Sequence, residues 1–305
     1  MWSCACDFTQ FCRESASLHG PTVGEQMPHH ALQASVDDVV NGGTNIDWAI
    51  SIRDAAGDEM ASCNADTAME TASIGKLLLL IEVARQCSEG TLSGEELLDR
   101  DPTLLVADSG IWQHLHVDAL SVQDLCVLIA SVSDNVATNV LLKRVGLKRL
   151  QDFSRSLGLV YTAVLDYVRD VRGPADPPTL STGSASELSR LMSQVSRKEL
   201  VSQAVSEQVS AWLATGVDLS MVASAFGLDP LSHATSGRTF LIRNKTGADT
   251  RIRADVGTVG RNSFWLSYAV IANWDRSEPG IVDAALSGMN AIGKMLRKMI
   301  ERNSA

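Results

Sequence analysis

Ser73-Ile-Gly-Lys-Leu-Leu-Leu-Leu-Ile-Glu82 sets a serine and a lysine at the mouth of an apolar helix. The run Leu77 to Ile81 is apolar on every side, the mark of a helix buried all round. Ended by Glu82, it is far too short to cross a bilayer. At i, i+3 spacing the Ser73 and Lys76 side chains stand about 5–6 Å apart at Cβ, near enough for hydroxyl and amine to meet. A free serine hydroxyl is a weak nucleophile and needs a base. A lysine serves when desolvation and cationic neighbours lower its pKa. The helix N-terminus also favours negative charge developing beside Ser73. The bland alternative is a capping serine followed by a snorkelling lysine. A phosphate loop is excluded, because Glu70 stands where its first glycine belongs and Leu77 follows the lysine.

Two more strings follow in order, Ser133-Asp134-Asn135 and Lys245-Thr246-Gly247. The first falls between helices expected over Ser121–Ile129 and Val136–Val145, where a tight turn holds side chains toward a cleft. Taken alone it reads equally as an Asx cap, and Asp134 is expected to brace the turn. The second ends an apolar strand expected over Thr239–Thr246. Its lysine and threonine suit recognition of a substrate carboxylate, and Gly247 would let a substrate run along the strand edge. Arg251 and Arg253 offer a second carboxylate contact or a solvated strand face.

S-x-x-K, S-D-N and K-T-G in this order resemble the signature set of class A β-lactamases and penicillin-binding proteins. The resemblance spans Ala31 to Arg302. It implies an α/β (α+β) fold with an antiparallel sheet flanked by terminal helices, plus an all-helical lobe. It also implies a serine hydrolase that forms an acyl-enzyme. Ser73 would be the nucleophile, Lys76 its base, Ser133 a proton shuttle, and Lys245 with Thr246 carboxylate binders. Asn135 would bond the acyl side-chain amide, and the N–H groups of Ser73 and Ala248 would form the oxyanion hole. Trp112, after Ser109-Gly110, is expected as a wall of the cleft, with core packing as the alternative. Gly247 and Arg253 complete the substrate-binding set. No metal and no organic cofactor is implied. The expected partner is a small molecule: a β-lactam, a D-Ala peptide, or an ester or amide.

The resemblance breaks on the long loop Leu159–Ser181. Leu165-Asp166 fits the family's register, which then places Arg169 where the family carries its deacylating glutamate, and Gly173 where it carries an asparagine. A guanidinium cannot accept a proton at neutral pH. Asp166 and Asp170 are the nearest carboxylates. Acylation with weak β-lactam turnover is therefore expected. The alternatives are a D,D-peptidase-like or esterase/transacylase enzyme on an intracellular metabolite, and a non-turnover sensor of β-lactams or muropeptides.

The remaining sequence fills in the frame. A net charge of −10 argues against nucleic acid or an anionic membrane as partner. The first residues show neither basic n-region nor apolar h-region, so a cytoplasmic location is expected. Cys4, Cys6 and Cys12 lack a fourth partner for a metal site and read as a cysteine-containing irregular segment over 1–27. The catalytic domain is expected over 28–305, with an α/β lobe from about 28–70 and 220–305 and a helical lobe from about 71–219. Alternation over Ile46–Ile52 predicts a strand returning at Glu59–Cys63. Helices are expected at Ala31–Val40, Ile74–Cys87, Lys148–Leu157, Ser184–Val195, Glu199–Leu213 and Ile281–Ile300, and further strands at Ala254–Gly260 and Ser263–Trp274.

Overall fold

Trp48, Ile50 and Ile52 alternate with Ala49 and Ser51 along the first strand, and both sets are buried. The large side chains pack toward the two terminal helices; the small ones leave room for a helix on the opposite face. This strand belongs to a computed structural model that describes residues 29–232, 239–275 and 278–303. Cys4, Cys6, Cys12 and the segment expected to be irregular over 1–27 lie outside the described residues.

Five antiparallel strands form the main sheet: β1 (Asp47–Arg53), β2 (Glu59–Cys63), β3 (Leu241–Asp249), β4 (Ile252–Arg261) and β5 (Phe264–Asn273). Their spatial order is β2-β1-β5-β4-β3, so the strand carrying Lys245-Thr246-Gly247 lies at an edge. One face is covered by α1 (His29–Val40) and α8 (Ile281–Asn303). On the other lies α6 (Ala185–Ser196), whose Ser189 hydroxyl bonds the Ser51 hydroxyl at 2.8 Å. The fold is thus the expected α+β sheet flanked by terminal helices.

The helical part surrounds α2 (Lys76–Ser88), buried on all sides from Lys76 to Ala84. Burying each of its leucines contributes about 1.5–3 kcal/mol. Glu82, fully buried, is answered by Arg85 at 2.7 and 2.8 Å and by Gln86 at 2.7 Å. Around it lie α3 (Val122–Val132), α4 (Asn135–Val145), α5 (Leu147–Ser156) and α7 (Gln203–Leu213). Helix α7 starts four residues later than the sequence suggests. Lys198 and Val201 take positive φ, and Ser202 then caps the helix by accepting from the Val205 N–H at 3.2 Å.

The stretch 159–181 is more ordered than its composition suggests. Ala163–Val164 pairs with Ser181–Gly183, which pairs with Met69–Glu70 just before the nucleophile motif. Glu187 accepts from the N–H groups of Val160 and Thr162 at 2.6 and 2.8 Å. Asn139 bonds both the N–H and the carbonyl of Val168, at 2.9 and 3.0 Å.

Candidate active site

Ser73 lies in a 3₁₀ turn, Ala72–Gly75, that runs directly into α2. In such a turn residues i and i+3 eclipse, which sets Ser73 over Lys76. Ala72, just before the serine, is held at φ +47°, a strained conformation that needs support from its surroundings. Ser181 supplies it: its hydroxyl donates to the Ala72 carbonyl at 2.6 Å, accepts from the Gly75 N–H at 3.2 Å and bonds the Thr71 hydroxyl at 2.8 Å. On the other side, the missing side chain of Gly247 lets β3 press against the Thr71 carbonyl and Ile74. That close approach gives the glycine a reason of its own: Gly247 backs onto the serine turn, while Lys245, Thr246 and Ala248 line the cleft.

The cleft encloses about 550 Å³ and brings together Ser73, Ser133, Asn135, Lys245, Thr246 and Ala248, with Ser109, Arg169, Asp170, Arg172 and Asp218 on its walls. Ser133 closes α3 in the left-handed region, at φ +57°. Its hydroxyl is 3.1 Å from Lys76 Nζ and 3.0 Å from Lys245 Nζ. Lys76 Nζ also donates to the Ser133 carbonyl and to Asn135 Oδ1, both at 2.6 Å. Among the described residues the Ser73 hydroxyl makes no hydrogen bond, so the direct Ser73–Lys76 contact expected from spacing is absent in this state and Lys76 is held toward Ser133 instead. Asn135 is fully engaged as well, its Nδ2 donating to the carbonyls of Ala107 and Asp108.

Burial drives the Lys76 pKa well below that of an ordinary lysine, and the Lys245 charge adds to the effect while Asp134 opposes it. Lys245 is lowered by burial to about 8, with Asp218 and Asp255 pulling the other way. The arrangement pairs an amine poised to be neutral with a neighbour that keeps its charge, on either side of one serine hydroxyl. Asp134 braces the turn as expected. Its Oδ1 accepts from the Ala137 N–H at 2.9 Å, and its Oδ2 from Ile111 and Trp112 at 2.7 and 2.8 Å. Gly110, at φ +121°, leaves room for that carboxylate.

One expected site residue lies elsewhere, and another is engaged at the margin. Trp112 is fully buried in the helical core, its indole donating to the Val117 carbonyl at 3.1 Å; an apolar ring beside a bracing aspartate packed inward. Arg253 lies over the Trp274 ring and donates to the Asp249 and Ile252 carbonyls at 2.7 Å. Asp249 and the cross-strand partner Ala248 both line the cleft, so Arg253 stands at its margin. On the loop, Arg169 grips Asp166 with two hydrogen bonds of 2.6 and 3.1 Å, and Asp170 accepts from the Ala107 N–H at 2.9 Å.

Sequence reasoning passed over Asp255, the cross-strand partner of Thr246. It is fully buried, and burial raises its pKa to about 7 despite hydrogen bonds from Asn244, Ala223 and Tyr268. Between the ordinary carboxylate value of about 4 and about 7, the folded protein holds a proton that the unfolded chain releases. Stability therefore falls as pH rises through that window and levels off above it. Asp255→Asn is expected to flatten this decline, measured as melting temperature at about pH 5 and about pH 8. Parallel slopes for wild type and variant would show that Asp255 does not carry it.

The sequence model described as the beta-lactamase enzyme family matches residues 31–299. No curated protein sequence matches significantly. Among solved structures, a β-lactamase from Sphaerobacter thermophilus is similar at TM-score 0.76 and 21% identity, covering 90% of this chain and 98% of that one. PBP-A is similar at TM-score 0.74 and 20% identity, covering 91% and 98%. A PBP-A variant described as an acyl-enzyme complex with penicillin G matches at the same score, identity and coverage.

Proposed function

Since this chain belongs to the beta-lactamase enzyme family, we propose that it is an active-site serine hydrolase working through an acyl-enzyme at Ser73. The observation that carries this function is the Ser133 hydroxyl held between Lys76 and Lys245 at 3.1 and 3.0 Å. Ser73 Oγ attacks the carbonyl carbon of the acyl donor and its proton passes to Lys76 Nζ. The N–H groups of Ser73 and Ala248 receive the negative charge that forms on the carbonyl oxygen. As the bond to the leaving nitrogen or oxygen breaks, Ser133 gives that atom its proton and regains one from Lys76. Lys245 keeps its charge and stabilises the Ser133 oxygen throughout.

Release of the acyl group needs a base near a water facing the ester. Arg169 occupies the glutamate's register and is bound to Asp166, so it supplies none. Asp170 lines the cleft, with one oxygen committed to the Ala107 N–H. Slow release follows, and β-lactams are bound and opened with weak turnover. An esterase-like reading is favoured by one specific feature, the carboxylate of Asp218 in the cleft wall that Lys245 and Thr246 also line.

The test is intact-mass analysis after a pulse of penicillin or of an activated neutral ester, with peptide mapping. A single acyl adduct on Ser73, absent from Ser73→Ala and persisting for minutes, is the expected result. Label on another residue, or unchanged labelling of the Ser73→Ala protein, would overturn the assignment.

A further inference from the structure

Asp218 stands in the cleft wall on the loop that follows α7. Its position is built rather than incidental. Oδ1 accepts from the N–H and the hydroxyl of Ser220, at 3.1 and 2.6 Å. Its carbonyl accepts from Asn244 Nδ2 at 3.4 Å, and the same amide donates to Asp255 at 3.0 Å. Burial pushes the Asp218 carboxyl upward, but Ser220, the Thr246 hydroxyl and the Lys245 charge outweigh it and hold the group below the ordinary carboxylate range.

Lys245 and Thr246 are the two side chains that a substrate carboxylate would seek. Both line the cleft together with Asp218, and Asp255 lies across from Thr246 on the neighbouring strand. An anionic group arriving there would displace Asp218 from its donors or stand against its charge, and juxtaposed like charges are strongly unfavourable. Ser133, which serves the leaving group, shares Lys245 with this corner, so the charge conflict falls on the leaving-group side.

We infer that Asp218 is a specificity-determining residue: its carboxylate, fixed by Ser220 in the wall that Lys245 and Thr246 also line, takes the place of a substrate carboxylate, and the site prefers acyl donors with no carboxylate on the leaving group over those, penicillins included, that carry one. This rests on the acyl-enzyme at Ser73 and names the substrate class for it. The acyl–oxygen bond of such a donor breaks as the Ser73 ester forms, and the leaving alcohol departs with the proton from Ser133.

Matched hippuryl esters of glycolic acid, with a free carboxylate, and of glycolamide, uncharged, test it. The readout is the rate of hippuryl adduct formation on Ser73 by intact mass. Wild type is expected to favour the glycolamide ester by about tenfold or more. Asp218→Asn, nearly isosteric, should bring the two rates within about twofold or invert them, and Ser220→Ala should shift the ratio part of the way. Equal rates or a preference for the glycolate ester in wild type would overturn the inference, as would a ratio unmoved by Asp218→Asn. Those results leave the Ser73 adduct standing. Failure of both esters to form any adduct would instead overturn the acyl-enzyme assignment, and this inference with it.

Discussion

Lys76→Ala is expected to slow acylation of Ser73 by about 10²–10⁴-fold, the usual contribution of a general base. Nothing else in the cleft replaces it. Lys245 is the only other amine within reach of Ser133 among the described residues, and it retains its charge to about pH 8. Because burial depresses the Lys76 pKa, the ascending limb of the wild-type rate should fall well below the pH at which an ordinary lysine loses its proton. The variant should lose that limb. Acylation rate by mass spectrometry across pH, with circular dichroism to confirm the fold, measures both effects. A folded Lys76→Ala protein that acylates at the wild-type rate would remove Lys76 from the mechanism.

The largest expected effect on stability belongs to Asp134. Its two oxygens take three backbone N–H groups from two segments, and it is buried. Asp134→Ala removes a helix cap, worth about 1 kcal/mol. It also leaves the Ile111 and Trp112 N–H groups without their acceptor, each costing about 1–3 kcal/mol. A loss of about 3–7 kcal/mol follows, a large share of the ~5–15 kcal/mol that stabilises most domains. Urea denaturation reads it directly. A loss below about 1 kcal/mol would mean that water or a shifted loop satisfies those groups.

The three motifs were legible because each is local and each places a reactive side chain at an element boundary, where cap and turn signals are strongest. Strand β1 and helix α2 announced themselves by burial pattern. What the sequence hid were partners brought from far along the chain. Ser181 supports the serine turn across a separation of more than a hundred residues, and nothing near it marks that duty. Asp218 and Asp255 look like ordinary loop and strand carboxylates until β3 and β4 are paired. Trp112 misled for the same reason: residue type suggested a cleft wall, and burial in the helical core decided otherwise. The start of α7 was the exception, since Ser202 carried a readable cap signal.

The loop that ends near the cleft is fastened by its main chain. Glu187 holds the amides at Val160 and Thr162, Asn139 holds Val168 by both peptide groups, and Asp170 is tied to the Ala107 amide. None of these fasteners depends on which side chain Val160, Tyr161 or Val171 carries, and all three are exposed. The rim is thus free to drift under selection while its path stays fixed, so new surface chemistry can accumulate at the mouth of the site without a toll on the machinery beneath.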